Sequence, residues 1–351
     1  MNHSALPAST TDLTVRRILD ANLDRAREGL RVLEDWCRFG LNHHELTDKF
    51  KHLRQSLGQW HTPDLRVARD TPNDTGTSIT HPQEQIRTGI TEVLQANFCR
   101  VEEALRSLEE FGKIYQPELA SACKQWRYQI YTLESEIMGH QRFQQLLNAR
   151  LYLVTSSVPD LLSVVEAALQ GGLPLVQYRA KTGNDCDRIV IAQQLKALCH
   201  QYGALFLIND RVDLALAVDA DGVHLGQQDL PIATARQLLG SDRLIGRSTT
   251  NPKEMAKALA EGADYIGVGP VYATPTKPNK AAAGLDYVRY AAAHSPVPFF
   301  AIGGIDPQNL DEVMAAGGDR VAIVRALMQA EDPTAMSKKL IARLQAQVSP
   351  V

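Results

Sequence analysis

The chain has 351 residues, 44% of them hydrophobic, and a formal net charge of −3 from 37 Lys+Arg and 40 Asp+Glu. This length predicts two or three domains or one large one, and the composition argues for a packed core over disorder. The charge gives no electrostatic reason to expect nucleic acid or an anionic membrane, and no apolar run approaches the ~20 residues of a membrane span.

The polar stretch Met1–Thr14 lacks the apolar core of a signal peptide. Five cysteines, Cys37, Cys99, Cys123, Cys186 and Cys199, form no CxxC pair and read as reduced thiols of a cytoplasmic protein. Up to about residue 148 helical periodicity dominates. Ile18–Phe39 and Val93–Ile114 match at a shift of 75 residues, pairing Leu19/Leu94, Asn22/Asn97, Arg25/Arg100, Arg31/Arg106 and Glu34/Glu109 among others. Such self-similarity predicts a duplicated helical unit. Leu19, Leu23, Ala26, Leu30 and Leu33 form one apolar stripe, repeated by Leu94, Phe98, Val101, Leu105 and Leu108. A second helix is predicted after each, over Glu45–Trp60 and Pro117–Met138, giving two helical hairpins in an all-α domain over residues 1–140. A polar loop, Arg69–Ser78, lies between them. Residues 141–148 are predicted to be a linker.

From residue 149 to 351 strands and helices alternate. Eight strand patterns are predicted: Leu151–Thr155, Leu175–Arg179, Leu205–Asn209, Gly222–Leu225, Leu244–Ser248, Tyr265–Val271, Phe299–Ile302 and Arg320–Val324. Helical patterns separate most of them. Eight such units in about 200 residues favour a (β/α)8 TIM barrel over a doubly wound sheet. The fold class is therefore α/β, a C-terminal barrel preceded by an all-α domain.

In a barrel the C-terminal strand ends share one mouth. At the second, alternation puts Gln177, Arg179 and Lys181 on one face, where two cations and an amide suit a diphosphate. Asp210 after the third strand and Asp229 after the fourth suit Mg2+, although Asp229 also precedes a helix and suits a cap. His224 reads as a packed, hydrogen-bonded residue. Ser248 suits a phosphate contact or a turn before the Pro252 helix. The sixth strand runs into a loop with Thr274, Thr276 and Lys277, two hydroxyls and an ammonium suited to a phosphorylated ligand, while Gly267 and Gly269 permit close backbone approach. Glycines after the seventh strand and amides after the eighth form the usual barrel phosphate site. Two phosphorylated substrates, one losing diphosphate, follow from this arrangement.

The ordered runs Gln177–Lys181 (QxRxK), Asn209–Asp210, His224–Asp229 (HLGQxD), Gly246–Ser248 (GxS), Gly269–Lys277 and Ile302–Ile305 (IGGI) resemble the thiamine-phosphate synthase family over about 150–345. The resemblance implies condensation of 4-amino-2-methyl-5-hydroxymethylpyrimidine diphosphate with a thiazole phosphate, releasing pyrophosphate through a dissociative, Mg2+-assisted step. It implies a pyrimidine diphosphate site of Gln177, Tyr178, Arg179, Ala180, Lys181 and Asn209, with Mg2+ on Asp210 and Asp229. Ser248 and Lys277 would act at the diphosphate together with Lys181. Thr274, Thr276, Gly304, Val324 and Arg325 would surround the thiazole phosphate and leaving group. Arg325 stands where the family often has Ser, and Thr250 where many members have His. No Ser-His-Asp or Cys-His set stands out.

The first 140 residues resemble a helical domain fused to this synthase in some bacteria and associated with phosphorylating hydroxymethylpyrimidine phosphate, which implies ATP as a partner there. Asn22, Arg25, Asn97 and Arg100 are its candidates, with Asp70, Asp74 and Gly76 as a phosphate or Mg2+ loop. A helical scaffold is the alternative for this domain, and a thiazole-binding regulator the alternative for the barrel. Small-molecule substrates are the expected partners, and a homo-oligomer stays open.

Overall fold

A computed structural model of the chain describes residues 8–74, 87, 89–273 and 282–346. It divides into two compact units, Met1–Ser135 and Glu136–Val351.

In the first unit, α1 (Ala8–Asp35) runs into a π-helical turn (Trp36–Gly40), followed by α2 (His44–Gln59), the short α3 (Pro63–Val67) and α4 (Ile90–Tyr115). α5 starts at Pro117 and continues to Asn148. Both predicted stripes are buried, and α1 and α4, which carry them, pack together. Burying each leucine contributes about 1.5–3 kcal/mol, so the stripes rather than helix propensity hold this pairing. Glu34 and Glu109, at equivalent positions beside the stripes, are buried and paired with Arg54 of α2 and Arg127 of α5.

Residues 141–148 are not a linker: they are the last turns of α5. Gly139 does not break this helix. A Cβ there would lie 3.0 Å from Asp242 Cα, so the glycine permits close packing on the loop before β5. Beyond it, Arg142 Nε donates to Asp221 Oδ1 (3.0 Å) and Nη1 to Asp242 Oδ2 (2.9 Å), while Leu146 is fully buried.

The second unit contains β1 (Leu151–Val154), α6 (Leu161–Gln170), β2 (Leu175–Tyr178), α7 (Asp185–Gln201), β3 (Leu205–Asn209), α8 (Val212–Ala217), β4 (Gly222–Leu225), α9 (Ile232–Leu239), β5 (Leu244–Thr249) and α10 (Pro252–Ala260). It continues with β6 (Tyr265–Val268), α11 (Gly284–His294), β7 (Phe299–Ile302), α12 (Leu310–Ala315), β8 (Val321–Ile323), α13 (Arg325–Met328) and α14 (Pro333–Ala346). The eight parallel strands pair in sequence order and close through β1 and β8, with Leu151 opposite Val321. Every strand falls within a few residues of its predicted span; α8 and α13 were not anticipated.

Alternation divides the core. Outward residues such as Val176, Phe206 and Ile266 pack against the helices, and inward residues including Tyr152, Leu205, Tyr265 and Phe300 fill the barrel. Gly246 makes room for this filling: a Cβ on it would sit 2.1 Å from Tyr265 Cζ.

Candidate active site

The inward residue nearest each C-terminal strand end faces the barrel mouth. Gln177, Arg179, Asn209, His224 and Ser248 line a cavity of about 70 Å³ there. Ser248 also lines an adjoining cavity of about 470 Å³, with Thr250, Gly304, Val324 and Arg325. The expected diphosphate and phosphate regions therefore meet at Ser248.

Beneath the mouth runs a chain of hydrogen bonds. Gln177 Nε2 donates to Tyr152 Oη (2.6 Å), the Tyr152 and Tyr265 hydroxyls are 3.0 Å apart, and Tyr265 Oη is 3.0 Å from His224 Nδ1. His224 Nε2 is 2.9 Å from Ser248 Oγ. Burial holds both phenols above the ordinary tyrosine range, so both stay protonated. An amide NH2 only donates, so Tyr152 donates onward to Tyr265, and Tyr265 to Nδ1 of His224. The imidazole proton is then on Nε2, facing Ser248 Oγ as donor, and the serine proton is turned toward the cavity. In this tautomer His224 does not act as a base on Ser248. The tyrosines lay in apolar strand runs and carried no sequence signal of their own beyond their polar tips.

Ser248 does not cap α10: Asn251 does, accepting from Glu254 N (3.0 Å). Gln227, not singled out beforehand, pins the β4 loop by donating to Ser248 O (2.7 Å).

Asp210 has φ +64, a left-handed conformation that Asp tolerates better than most residues. Burial first, and then a hydrogen bond and charge repulsion from Asp229, push its carboxyl up to about 6, against Asn209 and Lys181. The two aspartates thus face each other, with Lys181 near them. Asp229 does not cap α9, whose N-cap is Pro231; its Oδ2 accepts from Gly226 N (2.6 Å). Among the described residues no cluster of three or more His, Cys, Asp or Glu forms a metal cage. A facing carboxylate pair nevertheless fits Mg2+, a hard ion commonly held by one or two carboxylates plus substrate phosphates.

Two expected ligand residues pack their side chains against the outer core. The Tyr178 side chain is buried in the outer core, beside Asp187 and Arg188 of α7, because alternation turns it away from Gln177. Ala180 also packs against that core. Gly304 adopts φ +67, and a Cβ there would lie 2.8 Å from Tyr272 Cβ, so this turn after β7 requires glycine. Thr274, Thr276 and Lys277 lie outside the described residues.

In the helical unit, Asn22 and Asn97 are buried and each donates to the carbonyl four residues back, Ile18 and Val93. Arg100 donates to Asn97 Oδ1 (2.9 Å), and Arg25 is exposed. The bonds of Asn22, Asn97 and Arg100 all stay within their own helices. Asp70 is held by Arg17 and Asn73; Gly76 lies outside the described residues. All five cysteines are free, and among the described residues no helix is long and apolar enough to cross a membrane.

Residues 151–327 match the family model described as Thiamine monophosphate synthase, and residues 17–136 match that of the ThiD2 family. A thiamine-phosphate synthase of Nostoc punctiforme is 67% identical over 330 residues, covering 94% of each chain. One from Gloeobacter violaceus is 54% identical, covering 96% of this chain and 99% of its own. A solved thiamine phosphate pyrophosphorylase from Pyrococcus furiosus is 36% identical with a TM-score of 0.54, covering 57% of this chain and 98% of its own. The chain belongs to the thiamine monophosphate synthase family, and it is a transferase of thiamine biosynthesis.

Proposed function

We propose that the barrel joins 4-amino-2-methyl-5-hydroxymethylpyrimidine diphosphate to a thiazole phosphate, or its carboxylated form, and releases pyrophosphate by a dissociative route. The observation that carries this reading is the meeting of two anion-suited regions in one mouth: Arg179, Lys181, Asp210 and Asp229 on one side, Gly304, Val324 and Arg325 on the other, with Ser248 between them.

In this reading Gln177 and Asn209 orient the pyrimidine, while Arg179, Lys181 and Lys277 bind its diphosphate. Asp210 and Asp229 hold Mg2+, which when bound supplies a Lewis acid for charge developing on the departing pyrophosphate. The Ser248 hydroxyl, proton outward, donates to the same oxygens; a donor aimed in advance costs no reorganisation as charge develops. The turn at Gly304 with the backbone around Val324 and Arg325, and Thr274 and Thr276 from the neighbouring loop, seat the thiazole phosphate. The thiazole nitrogen is thereby held against the carbon that loses its oxygen, and no protein nucleophile takes part.

The ThiD2 match favours a second activity in the helical unit, phosphorylation of the pyrimidine monophosphate with ATP. One experiment with the full chain and Mg2+ separates the two. Supplied with the diphosphate and thiazole phosphate, it should form thiamine phosphate; a folded chain releasing no pyrophosphate overturns the barrel reading. Supplied with the monophosphate, ATP and thiazole phosphate, it should form the same product. Failure in that arm alone leaves the helical unit as a scaffold.

A further inference from the structure

The helical unit contains a cleft of about 270 Å³ lined by Asp24, Arg27, His61, Arg66 and Arg69. At its base His61 and Asp20 each have side chains only 2% exposed, with His61 Nε2 2.6 Å from Asp20 Oδ1. Arg69 braces the same carboxylate, Nε donating to Oδ2 (2.7 Å) and Nη2 to Oδ1 (3.1 Å), and also pairs with Asp24. Burial alone would raise Asp20, but Arg69 and His61 hold it below the usual carboxylate range, so it remains an acceptor. His61 Nε2–H is therefore committed to Asp20. Its Nδ1 meets Arg27 Nη1 and Asp24 Oδ1 only at 3.4 Å each.

Two cations here are incompletely used. Arg27 Nε is buried with no hydrogen-bond partner, and Arg66 has no ion-pair partner among the described residues. A buried N–H without an acceptor carries an uncompensated desolvation cost, which an acceptor brought by a ligand would relieve.

The duplication separates packing from purpose. The second copy keeps Asn97, Arg106 and Glu109 at the places of Asn22, Arg31 and Glu34. It has Gln95, Cys99 and Glu102 at the places of Asp20, Asp24 and Arg27. Helix packing tolerates both sets, so it does not explain the first. Where Arg27 has its counterpart, Glu102 is pushed up to about 7 by burial and then by Glu134, a setting hostile to an anion.

We propose that the Arg27–His61–Arg66 cleft binds the phosphate group of a phosphate monoester or polyphosphate, with Asp20 and Arg69 as the frame that holds His61. Arginine forks match phosphate oxygens in geometry and charge, and His61 Nδ1, an acceptor in this frame, suits a hydrogen bond from a phosphate P–OH. The volume admits a phosphate with a small attached group. This assignment rests on the cleft and not on the kinase reading. Binding without turnover leaves it standing, and turnover with this cleft unused removes it while leaving the kinase reading intact.

All three tryptophans, Trp36, Trp60 and Trp126, lie in the helical unit, and Trp60 adjoins His61, so tryptophan emission of the full chain reads this unit alone. The probes are inorganic pyrophosphate, ATP and a pyrimidine phosphate monoester. Wild type should give a saturable emission change with at least one. A tighter midpoint for ATP assigns the cleft to a donor, and for the monoester to an acceptor; either supports it. Arg66→Ala, an exposed change that spares the core, should weaken binding at least tenfold with an unchanged circular dichroism spectrum, and Arg66→Lys should recover part of the loss. Equal midpoints in Arg66→Ala and wild type overturn the proposal. So does the absence of any saturable change in wild type, with Arg66 equally reactive to phenylglyoxal whether or not the probes are present.

Discussion

At Ser248 the direction of a hydroxyl proton depends on side chains contributed by four other strands. Gln177 and Tyr152 fix the donor order, Tyr265 passes it to His224, and His224 presents Nε2–H to the serine oxygen. Tyr265→Phe breaks the chain at its centre, leaving the Tyr152 hydroxyl without its acceptor and His224 Nδ1 without its donor. It should cost about 1–3 kcal/mol in urea denaturation and lower kcat/KM about tenfold, the scale of one misdirected hydrogen bond. If the effect passes through Ser248, the double variant with Ser248→Ala should lose much less than the product of the two single losses. Independent, multiplying losses would disconnect Tyr265 from Ser248. The strand-end residues Gln177, Arg179, Asn209 and Ser248 were legible because alternation and barrel position suffice to aim them at the mouth. Tyr152 and Tyr265 were not. Each sits in an apolar run, and their contact exists only once closure brings β1 and β6 across the barrel from one another. The Tyr178 side chain lies on the other face for a related reason: a strand sends alternate side chains to opposite faces.

The helical hairpins show what a duplication retains. Glu34 accepts from Arg54 Nε at 2.7 Å, and Glu109 from Arg127 Nε and Nη2 at 3.2 and 3.1 Å. In each case a buried carboxylate beside the first helix's apolar stripe is neutralised by an arginine from the hairpin's other helix. Removing the carboxylate leaves a half-buried guanidinium unpaired, which typically costs 3–5 kcal/mol in buried pairs. Glu109→Ala should therefore destabilise the helical unit by roughly 3 kcal/mol, read as a lower urea midpoint in tryptophan emission. A midpoint equal to that of wild type would reduce the pair to a surface contact. The carboxylate positions were visible in the repeat, but the match at a shift of 75 residues covers only the first helix of each hairpin, so their arginine partners on the second helices were not. The end of α5 was hidden for a different reason. Gly139 and the polar residues after it read as punctuation, whereas the glycine is required by contact with Asp242 and Arg142 is polar because it meets Asp221 and Asp242.

For the whole molecule this relocates the start of the barrel unit. Arg142 and Leu146 belong to the barrel's packing, so a chain beginning at residue 149 lacks a buried leucine and one donor to a buried aspartate. Compared with a chain beginning at residue 136, it should be less stable by about 3 kcal/mol or more in thermal or urea unfolding. Equal stabilities would restore residues 141–148 to the role of a tether. Asp221 offers the complementary test in acid. Burial pushes its carboxyl up, but hydrogen bonds from His200 and the Phe206 N–H and the charge of Arg142 outweigh this and hold it at about 2, below the ordinary 3.8. Because the folded value is the lower one, its stabilisation is complete above about pH 4 and lost as pH falls toward 2; a shift of this size is worth about 2 kcal/mol. Asp221→Asn should weaken the barrel at neutral pH and also flatten its loss of stability between about pH 4 and 2, followed by circular dichroism. An acid limb as steep as that of wild type would place the acid sensitivity on other carboxylates, and Asp221 would then be a packing residue whose charge matters little.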